Sequence, residues 1–265
     1  MKAGPADYIK NLPLPELVLS RKHLEIQSRD EAILNAAREM FFDRGYYGLT
    51  MDRLAKKTGL PKGTIYHRFS CKEDIIICLA TRSLLVRNSM MHRASLFAGR
   101  SRERILAVGE AISLFTRLYQ SDSRLLHTAM GPMREKASPE RVLSLVHEEN
   151  AAIQTVYGIL LAGVQEGDLQ LDAEASVEEI ALGAWGLVDG AFTLIESGIP
   201  FHSLELDDPF HKVWHFFNVA ADGYGWKPLL KDWDYEETLA RVRKQVFPDE
   251  AQEVYGEGQW YGDKR

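Results

Sequence analysis

The residues of this 265-residue chain best suited to chemistry are concentrated at positions 58–69, which read Thr-Gly-Leu-Pro-Lys-Gly-Thr-Ile-Tyr-His-Arg-Phe. A short helix is predicted just before them, from Thr50 to Lys57. Gly59 ends that helix, and Pro61 fits the first turn of the next one. Two short helices joined by a tight turn that contains glycine form a helix-turn-helix. The second helix is too polar on one side to belong to a core, so the pattern predicts that this chain reads DNA.

The proposed DNA contacts are side chains that can donate to phosphates or base edges, and one glycine whose missing Cβ lets the backbone approach a phosphate. They are Thr50, Lys62, Gly63, Thr64, Tyr66, His67, Arg68 and Lys72. Each has a plainer alternative. Thr50 can simply cap a helix, Tyr66 can pack against the preceding helix, and His67 and Arg68 can lie on a solvated surface.

The run from Arg29 to Leu79 resembles the DNA-binding domain of the TetR (tetracycline-repressor) family, over about fifty of the 265 residues. The matching residues are Ile33, Leu34, Ala36, Ala37, Phe41, Gly45, Tyr46, Gly48, Leu49, Thr50, Met51, Leu54, Ala55, Thr58, Gly59, Lys62, Gly63, Thr64, Ile65, Tyr66, His67, Phe69, Lys72, Glu73 and Asp74. The resemblance implies a three-helix head that binds operator DNA, a helical body that binds an effector, and a homodimer. It also implies that Lys62, Gly63, Tyr66 or its neighbour, and Lys72 approach the DNA.

Two positions depart from the family pattern, in which many members have serine in place of Pro61 and serine or asparagine in place of Cys71. A thiol at a helix start beside Lys72 has its thiolate favoured, which would suit a redox switch near DNA. The alternative is that Ser70 and Glu73 form the cap and that Cys71 is inert.

Composition indicates an ordinary soluble globular protein, with 45% hydrophobic and 26% charged residues. The N-terminus lacks the apolar stretch of a secretory signal, and the longest apolar run, Ile180 to Ile195, is interrupted by Asp189. Cys71 and Cys78 lie seven positions apart on one predicted helix, too far to bridge each other. We therefore expect a cytoplasmic protein without a membrane partner.

The net charge of −6 conceals a strong asymmetry along the chain. Residues 21–104 hold 17 Lys and Arg against 9 Asp and Glu, whereas residues 105–265 hold 13 against 27. A basic segment attached to an acidic body fits a nucleic-acid-binding head, although chance clustering on solvated helices would give the same counts.

Helical periodicity extends along the whole chain, so the predicted fold is all-α. We expect a flexible N-terminal arm at 1–27, a helix-turn-helix domain at 28–75, and a helical effector-binding and dimerisation domain at 76–248. A polar tail is expected at 249–265. Ser28 and Glu31 form a capping box that predicts the first helix, and the fourth is predicted from Lys72 to Phe97. The body helices are predicted at residues 101–119, 122–130, 139–166, 176–196, 209–222 and 235–247.

The body offers three candidate features. Aromatic and histidine side chains could line an effector pocket or belong to the core: Phe115, Tyr119, His127, Trp185 and Trp214. Small residues that permit close helix approach, together with one leucine, could form a dimer interface: Gly183, Gly186, Leu187 and Gly190. His211 and His215 have the spacing of metal ligands but lack a nearby carboxylate or cysteine partner, so no metal is expected.

The sequence contains no nucleophile elbow, glycine-rich phosphate loop or zinc-binding cysteine set, so neither an enzyme nor a cofactor is expected. The leading hypothesis is a homodimeric transcriptional repressor that a small-molecule effector releases from operator DNA. The alternative is a DNA-binding regulator without such an effector, controlled by a protein partner or by its abundance.

Overall fold

The structure is a computed structural model that describes residues 21–171, 175–199, 206 and 208–256. The described residues form helices joined by turns and contain no strand, as the all-α prediction requires. None of the helices in this part of the chain is long and apolar enough to cross a membrane. The chain divides into two compact units, and each is described separately below.

Unit 1 comprises the described residues up to Val86 together with Ser121–Glu148. It holds α1 (Arg21–Gly48), α2 (Met51–Thr58), α3 (Lys62–Arg68) and the first part of α4 (Lys72–Ser95). It also holds α6 (Gln120–Thr128) apart from its first residue, α7 (Pro132–Lys136) and the start of α8 (Pro139–Glu166). Its core is apolar, and it includes the fully buried side chains of Ile33, Ala37, Leu54, Ile65 and Ile76.

Unit 2 comprises Arg87–Gln120 and the described residues from Glu149 onwards. It holds the end of α4, α5 (Ser101–Leu118) and the larger part of α8. The helices α9 (Val177–Glu196), α10 (Pro209–Gly223), α11 (Tyr235–Gln245) and α12 (Pro248–Tyr255) follow. Helix α5 is buried along most of its length, and α10, α11 and α12 all pack against it.

The start of α1 differs from the sequence prediction. The helix already includes Arg21, so Ser28 lies inside it and does not cap it, and the last residues of the predicted N-terminal arm are helical. The rest of that arm lies outside the described residues. Glu31 is used differently, because its two carboxylate oxygens accept from Arg82 Nη1 and Nη2 at 2.9 and 2.6 Å. This bidentate pair joins α1 to α4 within unit 1.

Gly45 interrupts α1 where the sequence predicts its end. Its φ of 64° and ψ of −168° are not helical, although three more residues continue the turn to Gly48. Glycine tolerates this conformation because it lacks a Cβ. The break precedes Tyr46 and Tyr47, which lead into α2.

The body helices follow the predicted bounds closely, with three differences. Arg100 and not Ser101 occupies the N-cap of α5, while the Ser101 hydroxyl accepts from Trp226 Nε1 at 3.0 Å. Helix α7 was not predicted. The tail predicted from residue 249 begins with α12, in which Glu250 and Ala251 are buried. Residues 257–265 lie outside the described part.

Two buried charges of unit 2 have partners from its C-terminal part. Arg102 is fully buried and donates to the Asp222 carboxylate at 2.7 Å and to the Pro228 carbonyl at 2.8 Å. Glu110 is also fully buried and accepts from Arg243 Nε at 2.7 Å. These contacts make residues 218–243 an integral part of the core around α5.

Candidate functional site

Helices α2 and α3 form the helix-turn-helix that the sequence predicts. The Thr50 hydroxyl caps α2 by accepting from the Arg53 amide at 3.3 Å. Gly59 closes α2 with a left-handed φ of 70°, and its amide donates to the Ala55 carbonyl at 2.9 Å. Pro61 lies one position before the helical residues of α3, at its N-cap and not inside its first turn. A tight turn therefore fixes the direction in which α3 leaves α2.

Helix α3 has a buried side and an exposed side. Ile65 and Phe69 are buried, which fixes the rotation of α3 about its own axis. Tyr66 is 49% exposed and His67 is exposed on the other side. A Cβ built on Gly63 would meet nothing within 4 Å, so the backbone there is open to a close approach by another molecule. Thr64 is half-buried.

Lys62 lies at the start of α3 and forms an exposed ion pair with Asp52 of α2. The hydrogen bond to Asp52 raises the pKa of the Lys62 amine, which therefore carries its charge at neutral pH. An exposed pair of this kind contributes little stability, so the ammonium can exchange Asp52 for a phosphate at small cost.

Arg68 is positioned differently from the other predicted DNA contacts. Its guanidinium forms a bidentate ion pair with the Asp30 carboxylate, with Nε donating at 2.8 Å and Nη2 donating to the second oxygen. Arg141 of α8 lies 5.2 Å from the Phe69 ring centre and donates to the Arg68 carbonyl at 3.4 Å. The pair with Asp30 uses Nε and Nη2 of Arg68 and ties the side chain to α1, so Arg68 is less free than the other predicted contacts of α3.

Lys72 contacts the segment between α1 and α2. Its ammonium donates to the Tyr46 carbonyl at 3.2 Å and lies 3.6 Å from the Tyr46 ring centre. The Tyr46 hydroxyl donates to Glu73, and this hydrogen bond together with burial raises the pKa of Tyr46 to about 12. Tyr46, Lys72 and Glu73 therefore form one polar cluster at the start of α4.

Tyr47 is a surface residue that the sequence reasoning missed. It is 88% exposed and adjoins Tyr46, whose ring lies 5.2 Å away centre to centre in an edge-on arrangement. The signal in the sequence that could have found it is the pair of consecutive aromatic residues after Gly45, of which only one can be expected to face the core. The exposed ring and hydroxyl of Tyr47 make it an amphipathic side chain available for contact with another molecule.

The surroundings of Cys71 favour the alternative that this thiol is inert. Burial raises the pKa of the Cys71 thiol, and Sγ contacts the Lys136 carbonyl at 3.4 Å as a donor. The proposed Ser70 and Glu73 cap is also absent, because Asp74 accepts from the Ser70 amide at 2.9 Å while Glu73 binds Tyr46. Burial is the main cause of the raised pKa of the Cys71 thiol, and the neighbouring carboxylates of Asp74 and Glu73 raise it further.

Unit 2 contains an apolar cavity between α4, α5, α8, α9 and α10, with about 40 Å³ open to the centres of water molecules. Its walls are mostly aliphatic and aromatic, with Arg87 and Asp189 as the charged exceptions. The lining residues are Arg87, Ile105, Val108, Gly109, Ile112, Val156, Ala184, Trp185, Val188, Asp189, Trp214 and Phe217. Cavities of this composition with few polar groups are typical of small-molecule sites.

The five predicted pocket residues do not come together. Trp185 and Trp214 both line the cavity. Phe115 does not line it, because it is buried and packs on Tyr119 with ring centres 5.4 Å apart. His127 belongs to unit 1 and Tyr119 to unit 2. Arg87 was missed, since a single arginine within a long amphipathic helix gives no sequence signal of burial.

Gly109 determines how closely Trp214 approaches α5. A Cβ built on Gly109 would lie 2.5 Å from the Trp214 ring, a distance that real atoms do not adopt. The indole therefore occupies the space that any other residue at position 109 would fill. Trp214 also meets Phe192 edge-on at 5.9 Å, which closes this side of the cavity.

The predicted interface residues of α9 lie at the surface of unit 2. A Cβ built on Gly183, Gly186 or Gly190 would meet nothing within 4 Å. Leu187 is half-buried. Large apolar side chains of α9 and of α10, which packs against it, are exposed on these helices: Leu182, Leu194, Phe216 and Val219. The dimer interface predicted at these residues therefore stays a prediction, and the open glycines and exposed apolar side chains are compatible with it.

The histidine pair of α10 does not gather a metal-binding set. His211 Nε2 lies 3.4 Å from the Glu236 carboxylate, while His215 is exposed. Across the residues that the structure describes, no group of three or more potential ligands could hold a metal ion.

Comparison with known proteins gives consistent matches. Residues 33–77 match the family described as bacterial regulatory proteins, tetR family. The transcriptional repressor AcnR of Corynebacterium diphtheriae is 41% identical over 56 residues, which are 21% of this chain and 30% of AcnR. This chain thus spans less than a third of AcnR in that match. The transcriptional activator FasR of Mycolicibacterium smegmatis is 26% identical over 182 residues, which are 60% of this chain and 83% of FasR.

The fold has solved counterparts. A bacterial regulatory protein of the tetR family from Rhodococcus RHA1 superposes with a TM-score of 0.57 at 17% identity, over 74% of this chain and 97% of that protein. These matches agree with the geometry of the head, in which a capped α2 is followed by a short α3 with an exposed polar side. They also agree with the helical structure of the described part of unit 2. Residues 33–77 of this chain are thus identified as the N-terminal domain of the tetR family of bacterial regulatory proteins, and the helical fold is shared with a solved protein of that family.

Proposed function

We propose that this protein is a homodimeric repressor whose α2 and α3 bind operator DNA, and that a small molecule in the cavity of unit 2 releases it. The observation that carries the DNA-binding part is the exposed side of α3. Lys62, Tyr66 and His67 present donors there beside the open backbone of Gly63. A recognition helix with its apolar side buried and its polar side free enters the major groove in this way.

The proposed contacts divide into two groups. Thr50, Lys62, Thr64 and Tyr66 would bind phosphates, which fix the register of the head on DNA without reading sequence. His67 would reach a base edge. Arg68 is left out because Asp30 holds it. Lys72 would contact a phosphate only by leaving the Tyr46 carbonyl, so we propose that its main role is to hold Tyr46 and Tyr47 against the start of α2.

Operators can be selected from a random double-stranded library and their binding measured by fluorescence anisotropy at several salt concentrations. We expect a near-palindromic site and a steep loss of affinity with salt. Lys62→Ala should lower the salt slope by about one unit, since one phosphate contact is lost. The matched control is Lys244→Ala, which removes an exposed lysine of α11 in unit 2, outside the proposed dimer interface. Selection of no sequence, or an unchanged slope in Lys62→Ala, would contradict the proposed docking.

The proposed dimer uses the exposed apolar surface of α9 and α10. Gly183, Gly186 and Gly190 leave room for a partner helix, and Leu182 and Phe216 supply apolar area beside them. Gly186→Glu would place a charge in this interface and should give monomers with weak operator binding. Analytical ultracentrifugation at micromolar concentration tests this, and a wild-type monomer there would contradict the dimer.

The proposed ligand response rests on the cavity of unit 2. Its open space of about 40 Å³ holds only a few water molecules, so a ligand must widen it by moving α4, α9 or α10. Helix α4 continues without a break from unit 1 into unit 2, which makes it the physical route for a signal. Trp185→Leu should alter the response to ligand more than the affinity for DNA without ligand.

Two alternatives follow from specific observations. The small cavity also fits a regulator without a small-molecule effector, and then no compound from a metabolite collection should change operator affinity. The match to FasR, which spans 83% of that activator, favours an activator as second candidate. A reporter gene behind the selected operator distinguishes a repressor from an activator, because deletion of a repressor raises expression and deletion of an activator lowers it.

A further inference from the structure

Arg87 borders the cavity of unit 2 with an unused hydrogen-bond donor. Arg87 is a buried residue, with only 9% of its surface exposed to solvent. Its Nε has no acceptor among the residues that the structure describes. The guanidinium carbon lies 5.6 Å from the centre of the Trp185 ring, which offers a weak cation–π contact and no hydrogen bond. A buried cation in this state is costly, so its retention calls for an acceptor that the chain itself does not supply.

A second buried arginine of the same unit differs from Arg87 at its terminal nitrogens. The Nε of Arg102 also lacks an acceptor among the described residues, but its Nη1 and Nη2 both donate hydrogen bonds. Arg102 is fully buried and donates to Asp222, to the carbonyls of Asn218 and Pro228, and to the Asn218 side chain. Arg87 has no comparable set, although both side chains occupy the interior of unit 2. The difference indicates that the site around Arg87 is incomplete as it stands.

The charges that face Arg87 belong to α8 and α9. Burial lowers the pKa of Arg87, and the carboxylates of Asp189 and Glu149 act in the opposite direction. Asp189 lines the cavity with Arg87 but forms no ion pair with it within the described part of the chain. These carboxylates favour the charged form of the guanidinium through space. They form no hydrogen bond with it among the described residues, so its N–H donors stay available to a ligand.

We propose that the ligand of this cavity is a monoanionic organic acid with an apolar body, whose carboxylate pairs with Arg87 and whose body contacts Trp185, Trp214 and Phe217. This inference rests on the proposed ligand response. The planar guanidinium matches a carboxylate with two parallel hydrogen bonds. The aliphatic and aromatic walls match the apolar body.

The same geometry disfavours other ligand classes. A cationic ligand would meet the Arg87 charge and would compete with it for the Trp185 ring. A phosphate dianion would bring a second negative charge that a single arginine does not neutralise, beside the Asp189 carboxylate. A neutral ligand would leave the buried cation without a counter-charge.

The test uses saturated carboxylic acids of four to twelve carbons and their matched primary amides, with full-length protein. Binding is measured by calorimetry and by release of the selected operator DNA. We expect the best acid to bind at least about tenfold more tightly than its amide, because a charge-assisted bidentate contact is lost. Arg87→Met should weaken acid binding about ten- to a hundredfold and leave amide binding within threefold.

Three further variants define the contact. Arg87→Lys keeps the charge but loses the planar fork, so it should recover only part of the acid affinity, and it serves as the working variant if Arg87→Met does not fold. Asp189→Asn removes a carboxylate from the cavity wall and should strengthen acid binding. Arg100→Met removes an arginine that does not line the cavity and should leave acid binding unchanged.

The outcomes separate this inference from the proposed function. Equal binding of acids and amides, with no effect of the Arg87 variants, would overturn the acid assignment and leave the ligand response standing. Failure of every acid in the series to bind would also overturn it. If no compound of a general metabolite collection releases the operator either, the proposed ligand response fails as well.

Discussion

The exposed side of α3 and the interior of unit 2 both present cationic side chains, but they place them in opposite surroundings. Lys62 lies at the surface, where its charge is hydrated and carries little cost. Arg87 and Arg102 lie in the interior, where each charge requires a partner. A surface cation can therefore exchange water for a binding partner at little cost. A buried cation needs a partner within the fold, as Arg102 has, or a bound ligand, as we propose for Arg87. The two regions teach that burial, more than residue type, decides what a basic side chain does.

Replacement of Arg102 should give the largest effect. Arg102→Met would leave Asp222 and several buried carbonyls without their donor, so we expect the free energy of unfolding to fall by about 3–5 kcal/mol. Arg87→Met is the matched variant, because it removes a buried arginine without such partners and should be neutral or slightly stabilising. Urea unfolding measures both. Equal losses would show that Arg87 is as well satisfied as Arg102.

Asp74 provides the corresponding buried anion in unit 1. It accepts from the Ser138 amide at 2.7 Å and the Ser70 amide at 2.9 Å. Burial acts to raise its pKa, but these amide bonds outweigh burial and hold the pKa of Asp74 below its usual value. Asp74→Ala should reduce the free energy of unfolding by about 2 kcal/mol at pH 7.

The pH dependence of this loss follows from the direction of the shift. Because the folded pKa of Asp74 is lowered, its stabilisation is present above the unfolded value of about 3.9 and is lost as pH falls through the folded value. The difference between wild type and Asp74→Ala should thus shrink below about pH 4, as measured by thermal unfolding between pH 7 and pH 2. A constant difference over that range would contradict the assignment.

Gly109 tests the packing of the cavity wall. Gly109→Ala would force the Trp214 ring away from α5, and we expect a loss of about 1–3 kcal/mol from overpacking. Gly158→Ala in α8 is the control, since its Cβ would meet nothing within 4 Å and helix propensity should give a gain of up to about 1 kcal/mol. Differential scanning calorimetry compares the pair. A neutral Gly109→Ala would mean that Trp214 is free to move.

Two neighbouring residues of α3 should give the smallest and most selective effects. His67→Ala removes an exposed side chain and should weaken operator binding by about 1–3 kcal/mol while stability stays the same. Arg68→Ala breaks the half-exposed pair with Asp30 and should cost about 1 kcal/mol of stability instead. Loss of binding in Arg68→Ala with unchanged stability would restore Arg68 to the DNA contacts.

Sequence reasoning was most successful where local rules act alone. The Thr50 cap, the Gly59 stop and the inward positions Ile65 and Phe69 depend on neighbours within one or two turns, and all were found. It was less successful where distant residues compete for a side chain. Asp30 lies 38 positions from Arg68, and nothing in the local pattern of α3 reveals that pair.

The amino-acid sequence by itself determined that the chain is helical, where most helices begin and end, and that a short polar helix stands behind a glycine turn. These properties follow from backbone conformation and side-chain periodicity, which are local. Tertiary structure alone decided that Arg68 pairs with Asp30, that the Cys71 thiol lies against the Lys136 carbonyl, and that Arg87 borders a cavity with its Nε lacking an acceptor among the described residues. Burial and partner choice depend on helices brought together from distant parts of the chain, and no window of sequence contains that information.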